Sequence, residues 1–336
     1  MNNGKRIVIG AFMSLVIIAA CASLGSTLIG IRDTVMIILH QVFRIPLAAD
    51  IEPVNVSIVW QLRLPRVLLA FIAGGCLAMS GAVCQSILQN PLASPYILGV
   101  SSGASLGAGI IIISGITFVG GFTLPIAGFV FGLGAVFLVA SFSSLVDRSI
   151  SSNTIILCGM VFSLFIGALL TMLSAFFSDD LRRIVLWQMG SFAMRGWAYV
   201  QLLLPFLVIG AAGVLRYTKE MDLLTFGDEQ AKSAGVETGL LRKKLLAFSA
   251  VLTGATVALS GVIGFVDLIA PHAARKIVGS RHKYLIPMSF ILGGSLMVIT
   301  DFIARTVISP SELPVGAITA LIGAPFFTWI YFKGKR

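Results

Sequence analysis

Side chains able to do acid–base or covalent chemistry are scarce in this sequence, and their spacing argues against catalysis. The three histidines, His40, His272 and His282, form no HExxH pair that would hold zinc. Asp267 and Asp301 are the only acids within or beside the late apolar runs, and no two aspartates on neighbouring runs suggest a protease dyad. Ser80-Gly81 and Ser260-Gly261 offer hydroxyls, but no histidine is placed to activate either. No GxxxxGK(S/T) loop is present to cradle a nucleotide phosphate. Cys21, Cys76, Cys84 and Cys158 lie in apolar runs without a CxxC pair and read as small core residues. Asp267 reads as a helix-end acid hydrogen-bonded to a neighbour, with a coupling-proton site as the alternative. Neither a metal nor a cofactor is expected. What remains is recognition through charge, and its most suggestive carriers are arginines.

The elements that must position these residues are apolar helices. Of 336 residues 57% are hydrophobic and 11% charged, with a mean hydropathy of +0.99. A soluble domain carries roughly 25% charged residues. The apolar runs lack the alternation of barrel strands, so the fold class is an all-α polytopic membrane protein. The runs are Ile7–Ile31, Val67–Leu88, Ile97–Val119, Phe122–Val146, Thr154–Phe177, Tyr199–Leu215, Leu245–Ile263, a short piece Gly264–Ala270 broken by Pro271, Tyr284–Val307 and Ala317–Phe332. That makes about ten transmembrane helices in a single domain over residues 1–336, with no room for a soluble ATPase or receptor domain. Arg32–Arg66 and Ser178–Gly196 read as polar connections, and Gln89–Pro95 as an uncharged break. The longest charged stretch is a loop at about 216–244.

An even number of spans puts both termini on one side. Assigned to the cytoplasm, the inner segments, with Arg148, Lys335 and Arg336 among their cations, hold 16 of the 24 basic residues. The net charge of +10 therefore reads as orientation bias rather than nucleic-acid binding. The eight outer cations are Arg32, Arg44, Arg63, Arg66, Arg182, Arg183, Arg195 and Arg305, with no lysine among them. Small residues recur every fourth position at Gly74-Ala78-Ala82, Gly99-Gly103-Gly107 and Gly159-Ser163-Gly167, which suits close helix packing.

A dozen motifs in order complete the reading. They include Leu62-Arg63-Leu64-Pro65-Arg66, the glycine-rich run Gly74–Gln85, Asn90-Pro91-Leu92-Ala93-Ser94-Pro95, Trp187-Gln188-Met189-Gly190-Ser191, Gly227-Asp228-Glu229-Gln230-Ala231, Gly264-Phe265-Val266-Asp267, Asp301–Arg305 and Glu312-Leu313-Pro314-Val315-Gly316. Over nearly its whole length the chain resembles the FecCD-type permease family of ABC importers for iron–siderophores, haem and cobalamin. It departs from the common family pattern at Gln89, where Arg or Glu is frequent, and at Asp267, where Gly is frequent.

The resemblance implies a type II ABC importer permease fold in the bacterial cytoplasmic membrane. The implied partners are a second permease subunit, identical or paralogous, two ABC ATPase subunits and an extracytoplasmic substrate-binding protein, besides membrane lipids. The expected cargo is an iron–siderophore complex, with cobalamin or haem as alternatives; an ion-coupled secondary carrier is the alternative of another class. By the same resemblance, Arg63, Arg66 and Arg305 match arginines that pair with binding-protein glutamates, which suits bidentate guanidinium–carboxylate chemistry; snorkelling anchors are the bland reading. Gly227, Asp228, Glu229, Ala231 and Gly235 match the loop that couples to the ATPase. Asp228 and Glu229 suit a helix first turn, Gly235 a position just past its end, and Thr238 the cap of a second short helix. Ser151, Ser152 and Asn153 match a cytoplasmic gate, and they also suit a plain helix N-cap.

Overall fold

The computed structural model describes residues 2–25, 27, 29–47, 50–147 and 151–333. Arg148, Lys335 and Arg336, counted above among the cytoplasmic cations, lie outside the described residues. Helices in chain order are α1 Asn3–Ser23, α2 Ile31–Phe43, α3 Pro53–Ser57, a π-helical turn Ile58–Arg63, α4 Leu64–Ile87, α5 Val100–Ser114, α6 Thr123–Val146 and α7 Ser152–Phe176. They continue with α8 Leu181–Gln188, α9 Trp197–Arg216, α10 Thr218–Leu224, α11 Asp228–Ser233, α12 Thr238–Ser260, α13 Val266–Val278, α14 His282–Thr306 and α15 Val315–Lys333. Among the described residues there is no strand. Seven helical segments are long and apolar enough to cross a membrane, and Val100–Ser114 and Val315–Thr328 are shorter apolar helices. With α13 they match the ten sequence-predicted segments one for one.

Three boundaries differ from the sequence reading, each for a physical reason. The first span stops at Ser23 rather than Ile31, and the supposed polar connection opens with α2. The last carbonyls of α1 have no intrahelical partners, and Arg63 supplies donors: its Nη1 donates to Ser23 O at 2.6 Å and to Ala22 O at 3.4 Å, while its Nη2 donates to Thr27 O in the loop beyond the helix. The second span starts at Pro53, fourteen residues before Val67, giving a continuous 35-residue helical segment to Ile87. Pro65 does not break it because the preceding turn is widened: Leu64 N–H bonds back five residues to Val59 O. Likewise Pro271 sits inside α13 instead of ending a short piece. A proline there cannot donate to the carbonyl of Asp267, and the side chain of Gln85 donates to that carbonyl at 3.3 Å instead.

α4 is the axis of the bundle, with 89% of its most apolar window buried. It packs on α14 at glycine: a Cβ on Gly74 would stand 2.3 Å from Gly293 O. Gly81 lies against α13, where a Cβ would meet Asp267 O at 1.9 Å. Of the small-residue rows, Gly103 and Gly107 seat α5 on α6, and Gly159 touches Ile97 O, whereas Gly167 faces open space. α1, α7 and α9 are only 22% buried over their apolar windows. They present apolar faces of the kind that lipid or another subunit covers.

Candidate functional site

The sequence-predicted residues gather at the two ends of α4. At its N-terminal end Arg63, Arg66, Arg195, Arg305 and Glu312 line a cavity of about 630 Å³ together with Gly25, Gln61 and Met194. The structure brings the three expected arginines together and gives each an internal partner. Arg63 is buried and caps α1, as described; a Cβ on Gly25 would stand 2.7 Å from its Nη2, so the small residue makes room for the guanidinium. Arg305 also caps α1, donating through Nη2 to Cys21 O, and its Nε stands 4.0 Å from Asp301 Oδ2.

Arg66 holds two carboxylates at once. Its Nη2 donates to Asp301 Oδ1 at 2.8 Å, its Nε lies 3.0 Å from Oδ2, and its Nη1 donates to Glu312 Oε1 at 2.7 Å. Asp301 is 1% exposed and Glu312 34%. The first pair is therefore shielded from water and the second lies at its edge. These hydrogen bonds hold the Glu312 carboxyl below the usual carboxylate range. The cluster joins α4, α14 and the loop before α15. Asp301 and Glu312 were visible in sequence only as motif letters; their pairing with Arg66 crosses more than two hundred residues and left no local signal.

The other end of α4 lies about 36 Å away along the helix axis. Here Gly227, at φ 108°, opens α11, and Asp228 and Glu229 occupy its first turn as expected. Gly235, at φ 85°, ends it: Gly235 N–H bonds Lys232 O at 2.9 Å and Val236 N–H bonds Ala231 O at 3.0 Å, the paired bonds of a Schellman motif. Glu229 and Gly235 are exposed beside Phe226, which is 72% exposed, while Ala231 is buried against the core. Thr238 does not cap a second short helix. It is the first residue of α12, which runs on through Lys244 into the seventh span because no breaker intervenes. The short helix paired with α11 is α10, on its N-terminal side.

Asp228 is the hub of this end. Its Oδ1 accepts from Arg242 Nη2 at 2.7 Å and from Gln89 Nε2 at 3.3 Å. Gln89, one of the two departures from the family pattern, also donates to Leu224 O at 3.0 Å. Arg242 is 2% exposed, and its Nε donates to Ile87 O, in the last turn of α4, at 3.1 Å. Ser152 Oγ approaches the same carbonyl at 3.4 Å from the start of α7. Of the gate candidates, Ser152 is thus joined to the α11 knob through one backbone oxygen. Ser151 also caps α7, accepting from Thr154 N–H at 3.4 Å, and Asn153 is exposed. In the sequence Gln89 stood out only as a departure from the family pattern and Arg242 carried no role, since nothing local marks a buried arginine in a basic run.

Asp267, the other departure, is fully buried at the start of α13. Ser94 Oγ donates to its Oδ2, and Oδ1 has no hydrogen-bond partner. The segment before α5 is thereby tied to α13, next to the carbonyl that Gln85 satisfies. Gln85 is itself held by Arg275 through Oε1. Among the described residues no group of three or more His, Cys, Asp or Glu side chains is placed to hold a metal ion.

Comparisons with known proteins bear on the family and the fold. Residues 12–333 match the model of the FecCD transport family. An uncharacterized ABC transporter permease of Bacillus subtilis, YvrB, is 40% identical over 100% of this chain and 95% of its own length. The molybdate import system permease MolB of Haemophilus influenzae is 39% identical over 86% of this chain and 85% of its own. A solved structure described as an inward-facing metal-chelate type ABC transporter superposes with a TM-score of 0.84 at 32% identity, covering 98% of this chain and 99% of that one. Other relatives at 34–37% identity are named as permeases for cobalamin in Halobacterium salinarum, hemin in Yersinia pestis, and iron(III) citrate in Bacillus subtilis and Escherichia coli.

Proposed function

The chain belongs to the FecCD transport family and is a permease of an ABC importer; from that premise we propose that it carries an iron–siderophore complex across the bacterial cytoplasmic membrane, driven by ATPase subunits on separate chains. The observation that supports the cargo class is the likeness to a metal-chelate type transporter over 98% of the chain. Hemin, cobalamin and iron(III) citrate, the cargoes named for several relatives, are metal chelates as well. The 25 residues of α7 contain no charge. A wall of that kind, facing a copy or paralogue of this chain across a shared pathway, lets a bulky chelate pass without binding it tightly. Selection then falls to the substrate-binding protein.

In this reading both termini are cytoplasmic, which makes the cavity at the start of α4 the extracytoplasmic mouth. Four arginines there face two carboxylates, so the mouth keeps a positive excess for acidic groups of the binding protein. Arg63, Arg66 and Arg305 shape that platform while fastening α1 and α14 to α4. On the cytoplasmic side the α10–α11 knob, with Asp228, Glu229 and Gly235 presented and Ala231 anchoring it, docks on the ATPase. Ser151, Ser152 and Asn153 form the gate that the knob moves through Arg242 and Ile87 O.

The test is uptake by proteoliposomes holding this chain, its partner permease and the ATPase, with binding protein and radiolabelled ferric siderophore outside. Fluorescence quenching of the binding protein by candidate ligands identifies the cargo beforehand. Uptake that requires internal ATP and follows the quenching ligand supports the reading. Quenching by cobalamin or hemin but by no ferric siderophore replaces the cargo and keeps the rest.

A further inference from the structure

With Arg63, Arg66 and Arg305 each held by groups of this chain, one guanidinium lining the mouth has no hydrogen-bond or ion-pair partner among the described residues. It is Arg195, in the loop between α8 and α9. Its Cζ stands 4.4 Å from the centroid of the Tyr199 ring, and its Nε–H is buried and meets no acceptor. The cation over the ring is held by the ring's quadrupole, which fixes the side chain at the mouth without supplying an acceptor for its N–H groups. The loop is held in place: Trp197 Nε1 donates to Trp60 O at 2.8 Å, the two indoles lie 4.9 Å apart, and Ala193 N–H bonds Ser191 Oγ at 3.0 Å. Arg195 is half-buried and carries a charge at the mouth that no carboxylate of the described residues neutralises, which a carboxylate brought by a partner would do through the terminal amino groups.

We propose that Arg195 is a fourth docking point of the mouth, binding a carboxylate on the surface of the substrate-binding protein, with Met194 as the apolar contact beside it. The inference rests on the reading of this cavity as the extracytoplasmic docking platform. The occupant is a protein surface rather than a free anion because the rim is apolar as well as cationic. Met194 is 94% exposed and held at φ 56° at the loop tip, and Leu62, also lining the cavity, is 60% exposed. A small anion has no use for those side chains, whereas arginine and methionine beside each other are typical of protein interfaces.

The experiment measures the dissociation constant of the purified cognate binding protein for the intact permease–ATPase complex in nanodiscs of neutral lipid. R195Q weakens binding about tenfold or more, the loss of one charge-assisted bidentate contact, and R195K restores only part of it. R183Q, on an exposed arginine paired with Asp180 outside the cavity, leaves the constant unchanged. Among Glu→Gln and Asp→Asn substitutions on the binding protein, one is non-additive with R195Q; a merely structural role for Arg195 would leave all of them additive. Thermal unfolding of the R195Q complex at the wild-type temperature separates a lost contact from a damaged loop. Binding by R195Q equal to wild type, or a loss additive with every partner carboxylate, overturns the assignment and leaves the docking reading intact. A loss seen only in nanodiscs of anionic lipid assigns Arg195 to phosphate headgroups and overturns it as well. Failure of the wild-type complex to bind the protein at all refutes the docking reading itself, and the Arg195 assignment with it.

Discussion

Replacing Asp301 by Asn removes the buried carboxylate of the mouth's ion-pair cluster while keeping shape and one acceptor oxygen. Asp301 is 1% exposed, and Arg66, its partner at 2.8 Å, is 12% exposed. The replacement leaves Arg66 with Glu312 alone and takes from Arg305, 9% exposed, the carboxylate that stands 4.0 Å from it; breaking a buried pair costs up to about 3–5 kcal/mol. Glu312 holds the other edge of the same guanidinium but is 34% exposed, so E312Q is expected to cost about 1 kcal/mol or less. The difference between the two variants is the test, since both remove one carboxylate from the same arginine. The assay is denaturant unfolding of the detergent-solubilised chain followed by tryptophan fluorescence; Trp60 and Trp197 lie in contact next to the mouth and report directly on it. Unfolding free energies of D301N and E312Q within about 0.5 kcal/mol of each other would mean that burial does not set the weight of these two carboxylates.

Four further outcomes follow from the geometry. G81A forces a Cβ against the carbonyl of Asp267 and is expected to cost about 1–3 kcal/mol or more by thermal unfolding, whereas G134A, which faces open space, is near neutral. Q85L strips the carbonyl opposite Pro271 of its donor and Arg275 of its acceptor, and is expected to cost about 1–3 kcal/mol in the same assay. R242Q cuts the link from Asp228 to Ile87 O, so the ATPase stays bound by co-purification while transport per ATP hydrolysed falls severalfold. The depressed Glu312 carboxyl stabilises the fold when ionised. Its contribution is complete above the unfolded value of about 4.3 and is lost as pH falls through the lower folded value. The stability gap between wild type and E312Q accordingly closes on acidification below that range, and a gap that widens there contradicts the assignment.

Much of this architecture was legible in the sequence because it is local. Ten apolar runs gave ten helices, and the Schellman end of α11 followed from a glycine seven residues after Asp228. What escaped was governed by distant partners. α1 ends at Ser23 because Arg63, forty residues on, caps its carbonyls, and an apolar run carries no trace of that. Pro65 and Pro271 look like breakers, but a widened turn and the Gln85 side chain relieve them. The three arginines were located by motif, yet the acceptors of Arg66 lie 235 and 246 residues away, so their engagement within the chain was invisible. Arg195 escaped for the opposite reason: what distinguishes it is a missing partner, which only the folded chain reveals.

On the proposed function, this permease moves its cargo only when an ATPase grips the α10–α11 knob. G235R puts a long cation on that knob, where Gly235 is exposed and no atom of this chain stands within 4 Å of an added Cβ; G235A, which meets the same backbone strain at φ 85° without the bulk, is the control and should keep ATPase and uptake. Reconstituted with its ATPase and binding protein, the wild-type assembly should take up ferric siderophore only with ATP inside, and G235R should lose both ATPase co-purification and uptake. Uptake by G235R at the wild-type rate, or wild-type uptake that proceeds without ATP and stops when an ion gradient is collapsed, would contradict it.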